Sequence, residues 1–115
     1  MKKKVICFDI DGVICDTKNS NYKTSKPIKN TIKLINSLYK ANKIIIFTAR
    51  YMGRNSEKLS LAKKQGYELT KKQLKKWKVK YHVLRFGKPT YDVFVDDKNF
   101  GFKKNWQIQF KKEFL

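Results

Sequence analysis

Apolar residues form short runs along the chain, and these runs predict strands. Two are continuous, residues 5–10 (VICFDI) and 43–47 (KIIIF), which is typical of strands covered on both faces in a parallel sheet. Residues 82–86 (HVLRF) and 91–95 (YDVFV) predict a third and a fourth strand. Residues 106–110 (WQIQF) are interpreted as a fifth strand, at an edge of the sheet.

Apolar residues also recur at helical spacing between the first two runs. Ile28, Ile32 and Ile35 are followed by Leu38 or Tyr39, which predicts a helix that joins these strands. Strands that alternate with helices indicate an α/β fold of three layers.

Two short helices are predicted between the second and third strands. Asn55 is a candidate cap for the first, which we expect to end at Gly66. Thr70 and Gln73 have the spacing of a capping box and predict the start of the second. Residues 17–26 (TKNSNYKTSK) are polar and turn-rich, so they are predicted to be a surface excursion.

The composition predicts one domain, residues 1–115, with a modest core, since 41% of the 115 residues are hydrophobic. The 28 Lys and Arg exceed the 9 Asp and Glu, which gives a formal charge of +19 and raises the question of a polyanionic partner. The lysines lie along most of the chain without an arginine-rich stripe, so a solvated surface is favoured over nucleic-acid binding.

Cysteine usage and hydropathy predict the compartment. Cys7 and Cys15 show neither a CxxC motif nor the spacing of a zinc site. No stretch approaches the roughly 18 apolar residues of a membrane span. We therefore expect a reduced, soluble, cytoplasmic protein with no membrane partner.

Polar side chains able to bind a metal or a phosphate follow the four predicted strands. They are Asp9 and Asp11, Thr48, Lys88, and Asp96 with Asp97. Ligands of parallel α/β sheets bind at the carboxyl ends of the strands, so we expect these residues to meet at one edge.

Such a group has the parts for phosphoryl transfer. Clustered carboxylates repel one another unless a cation lies among them, and their hard oxygens suit Mg²⁺. A lysine and a threonine can hold phosphoryl oxygens. One carboxylate can attack phosphorus to give an aspartyl-phosphate, and a second can protonate the leaving oxygen.

The motifs also resemble a known family. DIDGV, FTAR, FGKP and VDD are similar, in order and position, to the four motifs of the haloacid dehalogenase (HAD) superfamily of phosphohydrolases. The resemblance covers about residues 5–99, and the close spacing in GKPTYDVFVDDKN is similar to that of small bacterial members associated with surface-polysaccharide sugar biosynthesis. It implies a Rossmann-like core with a mainly parallel sheet. The connections are too short for a cap domain, and capless members tend to accept large substrates or to close the site with a neighbouring subunit, as in a homo-oligomer.

The resemblance implies a role for each motif residue. Asp9 would be the nucleophile, Asp11 the general acid and then base, Thr48 a hydrogen-bond partner of the phosphoryl group, and Lys88 the residue that orients Asp9 and offsets its charge. A Mg²⁺ site would be formed by Asp9, the backbone carbonyl of Asp11, and Asp96, with Asp97 acting directly or through water.

The leading hypothesis is therefore a Mg²⁺-dependent phosphatase of a small phosphorylated substrate, with a sugar phosphate as the expected substrate. Arg50 and Arg54 are candidate substrate-binding residues, with a surface loop as an equal alternative. A second hypothesis takes the charge as functional and predicts a phosphatase of nucleotides or nucleic-acid ends. A third is a non-enzymatic phosphoacceptor resembling a response-regulator receiver, but Asp11 supplies an acid/base that a long-lived phosphoacceptor would lack.

Overall fold

The structure, a computed structural model, describes residues 3–115. These residues form a parallel sheet with helices packed against it. In chain order, the strands and helices are β1 (Val5–Phe8), β2 (Cys15–Asp16), β3 (Lys26–Pro27), α1 (Lys29–Leu38), β4 (Lys43–Thr48), α2 (Leu59–Lys76), β5 (Val83–Phe86) and α3 (Trp106–Phe114). The parallel sheet has the order β1-β4-β5, and β2 and β3 form a separate antiparallel pair. This confirms the predicted α/β class and the strands near residues 5–10, 43–47 and 82–86.

The register of the sheet places the ends of its strands close together. Phe8, the last residue of β1, pairs with Ile46, and Thr48, the last residue of β4, pairs with Phe86 at the end of β5. Along β4, Ile44, Ile46 and Thr48 are buried, since alternate side chains of a strand face the same side. The residues that follow β1, β4 and β5 therefore begin at one edge of the sheet.

Helix α1 has the predicted apolar face. Ile32, Ile35 and Leu38 are all buried in the main core, so the prediction of a helix from their spacing is confirmed. In the same core they are joined by Trp106 and Phe110 of α3. No helix within residues 3–115 is long and apolar enough to span a membrane.

The prediction of two short helices after β4 is wrong, because α2 is one continuous helix of 18 residues. Gly66 lies in its middle rather than at an end, and a Cβ added there would come within 2.1 Å of the Tyr51 ring. The absent side chain lets that ring pack against the helix. Thr70 and Gln73 are buried helix-interior residues and do not start a second helix.

The prediction of an edge strand at residues 106–110 is also wrong, because this segment begins α3. Trp106 and Phe110 are buried one helical turn apart, and the ring centroid of Phe114 lies 4.6 Å from that of Phe110. Ile108 is 60% exposed, so the alternating residues 106, 108 and 110 that suggested a strand do not lie on one buried face.

Residues 91–95 do not form the predicted fourth strand. Val93 is 78% exposed and Val95 is 90% exposed, and the segment joins neither sheet. Just before it, the backbone N–H and the hydroxyl of Thr90 donate to the Glu57 carboxylate at 2.9 and 3.0 Å. These bonds hold the chain beside Glu57 as it leaves β5.

Strand β1 is consequently an edge strand in the described part of the chain. Its Val5 side chain is 65% exposed and Cys7 is exposed as well, whereas Phe8 is buried. The expectation that this run is covered on both faces is therefore wrong. The continuous apolar run has one face in the core and one face largely open.

Candidate active site

The first carboxylate of the site, Asp9, directly follows β1 and is paired with Lys88. Its Oδ2 lies 3.2 Å from the Lys88 Nζ, and its Oδ1 accepts a hydrogen bond of 2.8 Å from the backbone N–H of Ile10. The Lys88 backbone N–H donates to the carbonyl oxygen of Thr48 at 3.1 Å, which ties the segment after β5 to the end of β4. The ends of β1, β4 and β5 therefore fix the position of this ion pair.

Both members of the pair have shifted pKa values. Burial raises the pKa of Asp9, since a low-dielectric environment disfavours the carboxylate, and the Lys88 charge and the Ile10 N–H oppose that rise only in part. Burial by itself would lower the pKa of Lys88, but a hydrogen bond with the Tyr91 side chain and the Asp9 charge raise it above its usual value. The lysine is therefore a cation beside a carboxylate that is costly to ionise.

The second carboxylate, Asp11, is bound by a buried arginine. Arg50 Nε lies 3.0 Å from Asp11 Oδ2 and 3.2 Å from Oδ1, and Nη2 lies 3.0 Å from Oδ1. The arginine side chain is 0% exposed and the aspartate side chain 27% exposed. Such charge-assisted, forked contacts fix both the position and the orientation of a carboxylate.

The far side of the Arg50 guanidinium is anchored to α2. Nη1 donates to Gln73 Oε1 at 2.6 Å and to Thr70 Oγ1 at 3.3 Å. Gln73 in turn donates through Nε2 to the carbonyl oxygen of Tyr22 at 2.6 Å, and the Arg50 guanidinium carbon lies 4.9 Å from the centre of the Tyr22 ring. The two polar residues that resembled a capping box therefore bind the arginine instead.

Two hydroxyl groups from the predicted surface excursion complete this network. Thr17 Oγ1 donates to Asp11 Oδ1 at 2.5 Å and lies 2.6 Å from Ser25 Oγ. Thr17, Ser25, Thr70 and Gln73 were not predicted to belong to the site. For Thr70 and Gln73, the sequence signal was a pair of polar residues three apart on a helix that also carries apolar residues. Their partner Arg50 could not be predicted because it is distant in the chain.

Thr48, predicted to hold the phosphoryl group, is fully buried. Its hydroxyl accepts a hydrogen bond of 3.1 Å from the backbone N–H of Arg50. It thereby shapes the turn that begins at Ala49, a residue that lines a cavity beside Asp9. The contact with a phosphoryl group remains a prediction.

Two cavities adjoin the carboxylates. The smaller, about 200 Å³, is lined by both aspartates together with Thr17, Ser20, Tyr22, Ala49, Arg50 and Thr90. The larger, about 570 Å³, shares Asp9 and Asp11 with it and is also lined by Lys88, Asp96 and Lys98. Eight aromatic residues line the larger cavity, namely Phe8, Phe47, Tyr91, Phe94, Phe100, Phe102, Trp106 and Phe110.

The structure brings part of the predicted metal-ligand set together. Asp96 lines the same cavity as Asp9 and Asp11, whereas Asp97 lines neither cavity. Within residues 3–115, no three acidic, His or Cys side chains converge closely enough to form a metal centre by themselves. The donors present are hard oxygens, which fit Mg²⁺, an ion that usually retains several waters and takes one or two protein carboxylates.

The predicted substrate-binding arginines differ in their surroundings. Arg50 is buried in the network described above, whereas Arg54 is exposed. Arg54 Nη2 donates to the Ser20 carbonyl oxygen at 2.8 Å, and its guanidinium carbon lies 4.8 Å from the centre of the Tyr51 ring. Arg54 therefore links the segment after β4 to the segment between β2 and β3, near the rim of the smaller cavity.

Comparison with known proteins identifies the fold. No protein-family model matches the sequence, and no curated protein matches it. A crystal structure of a structural-genomics target from Vibrio cholerae is similar, with a TM-score of 0.79 and 21% sequence identity over 96% of this chain and 98% of that chain. At this identity, the similarity shows a shared α/β fold.

Proposed function

We propose that this protein is a Mg²⁺-dependent phosphomonoester hydrolase of the HAD type that acts through an aspartyl-phosphate on Asp9, with a small sugar phosphate as substrate. The observation that carries the proposal is the Asp9–Lys88 pair at 3.2 Å, beside Asp11 and two cavities. A carboxylate with an adjacent cation can attack a phosphoryl group whose negative charge the cation offsets.

In the first step, an Asp9 oxygen forms a bond to phosphorus as the bond from phosphorus to the leaving oxygen breaks. The leaving oxygen takes a proton from Asp11, which acts as general acid. In the second step, a water oxygen bonds to phosphorus, the bond between phosphorus and Asp9 breaks, and Asp11 takes the proton of the water. Lys88 offsets negative charge near the nucleophile throughout.

The donor chemistry of the site supports a role for Mg²⁺. Asp9 and Asp96 would hold the ion, with the backbone carbonyl of Asp11, and Asp97 would contribute directly or through water. When bound, Mg²⁺ supplies positive charge that neutralises the phosphoryl oxygens.

Phosphate release tests the proposal. Wild-type protein should release phosphate from a panel of sugar phosphates in Mg²⁺, and Asp9→Asn should lose at least about 10³-fold in kcat while remaining folded, because the amide is nearly isosteric but a poor nucleophile. The matched control is Asp16→Asn, an exposed aspartate that lines neither cavity and should keep wild-type turnover. Undiminished turnover by folded Asp9→Asn would refute the mechanism.

The aromatic wall of the larger cavity favours a second candidate function, a phosphatase of nucleotides or nucleic-acid ends. Tyr91, Phe94 and Phe102 are each more than 40% exposed beside Lys88 and Lys98, and exposed aromatic rings can stack on bases. The same panel should include nucleoside monophosphates and a 3′-phosphorylated oligonucleotide. Preference for the oligonucleotide, with a KM that rises steeply with salt, would favour this candidate over the sugar phosphate.

A further inference from the structure

We propose that Arg50 is a positioning residue that holds Asp11 in place for proton transfer and does not bind the substrate. This inference rests on the proposed function, because it assigns a role within the same reaction. It starts from the forked contact, in which Nε and Nη2 of the buried arginine hold the Asp11 carboxylate at 3.0–3.2 Å.

The guanidinium is fully engaged by the protein itself. Four of its five N–H groups face Asp11, Gln73 and Thr70, and the second N–H of Nη2 faces Ser25 Oγ at 3.4 Å and Cys15 Sγ at 3.5 Å. The side chain is 0% exposed. A substrate anion would have to displace these partners to reach it, so the expected effect of Arg50 on substrate affinity is small.

The contacts distinguish the two oxygens of Asp11. Oδ1 accepts from Arg50 Nε and Nη2 and from Thr17 Oγ1, and it also lies 3.5 Å from Cys15 Sγ. Within residues 3–115, Oδ2 has a single hydrogen-bond partner, Arg50 Nε at 3.0 Å. Oδ2 is therefore the oxygen that retains the capacity to exchange a proton with a leaving group or a water.

This geometry has a kinetic consequence that distinguishes positioning from mere stabilisation. A leaving group that needs protonation, such as an alkyl alkoxide, depends on a correctly placed acid, whereas a nitrophenolate departs without one. Misplacing Asp11 should therefore slow the formation of the aspartyl-phosphate from alkyl phosphates far more than from p-nitrophenyl phosphate. A general loss of structure would slow both substrates alike.

The test compares Arg50→Lys with wild type on a hexose phosphate and on p-nitrophenyl phosphate. Lysine keeps the charge but loses the planar fork, so kcat/KM, which reports the steps through formation of the aspartyl-phosphate, should fall about tenfold more on the hexose phosphate than on p-nitrophenyl phosphate. In an Asp11→Asn background, the same substitution should have no further leaving-group-dependent effect. Arg85→Lys, at an exposed position in β5, is the matched control and should leave both rates unchanged.

The outcomes separate this inference from the proposed function. Equal losses on the two substrates, or a rise in KM alone, would overturn the positioning role while wild-type turnover upheld the phosphatase. Absence of phosphate release by the wild type would overturn the phosphatase itself. If Arg50→Lys melts below the assay temperature, Gln73→Met replaces it, because it frees the far side of the guanidinium and leaves the fork intact. Gln73→Met should then show the same preferential loss on the hexose phosphate, but a smaller one. Absence of that difference would overturn the inference.

Discussion

At the scale of single residues, the proposed nucleophile Asp9 carries a cost in stability. It is partly buried at the end of β1, and burial is the main cause of its raised pKa. Lys88 and the Ile10 N–H offset this cost without cancelling it. The folded protein therefore binds a proton at Asp9 more tightly than the unfolded chain does.

The sign of the resulting pH dependence follows from linkage. A carboxyl group with a raised pKa in the folded state stabilises the fold below its unfolded pKa, usually about 3.8, and that stability is lost as the pH rises through the folded pKa. The free energy of unfolding of wild type should therefore fall relative to that of Asp9→Asn over this window. Urea unfolding of both proteins at a series of pH values measures the difference. If the free energies of unfolding of the two proteins changed equally with pH, burial would impose no cost on the ionised Asp9.

At the scale of elements, α2 connects packing to the site. Gly66 lets the Tyr51 ring lie against the helix, and one and two turns further on Thr70 and Gln73 hold Arg50. The long helix therefore serves as the rigid support behind Asp11.

Gly66→Ala should destabilise the protein although alanine favours helices. The added Cβ would lie 2.1 Å from Tyr51 Cδ2, so the ring or the helix must move, which costs about 1–3 kcal/mol in the free energy of unfolding. Since the helix carries the Arg50 anchors, turnover should also fall. Thermal unfolding and phosphate release measure the two effects.

Gly101→Ala is the control for this substitution. A Cβ at Gly101 meets nothing within 4 Å, and its backbone needs no left-handed conformation, so its melting temperature should match that of wild type. A Gly66→Ala protein as stable as wild type would show that Tyr51 moves aside at no cost.

At the scale of the whole molecule, the proposed metal links two parts of the chain that share no strand or helix. Asp9 directly follows β1, and Asp96 lies in the irregular segment between β5 and α3, yet both line one cavity. A cation held by both would join that segment to the sheet.

Mg²⁺ should therefore raise the melting temperature, because a ligand that binds only the folded state stabilises it by linkage. Asp96→Asn should reduce the rise, since it removes one carboxylate donor. Asp92→Asn, in the same segment but lining neither cavity, should keep it. Equal rises in all three proteins, measured by thermal unfolding in Mg²⁺ and in EDTA, would remove Asp96 from the proposed ligand set.

Features that depend on local periodicity and on chain order could be predicted from the sequence. The apolar runs and the repeat from Ile32 to Leu38 predicted β1, β4, β5 and α1, because side-chain period and burial are linked in strands and helices. Strand-end chemistry also predicted that Asp9 and Lys88 would meet, since parallel strands bring their carboxyl ends to one edge.

Features that depend on contacts between residues distant in the chain became apparent only in the folded structure. Whether Gly66 ends a helix or lies within one depends on the Tyr51 ring, and whether Thr70 and Gln73 cap a helix or bind a side chain depends on Arg50. The same holds for residues 91–95, where strand-like side chains remain outside both sheets. Local pattern supplies the preference of a segment, but its partners determine which conformation has the lowest free energy.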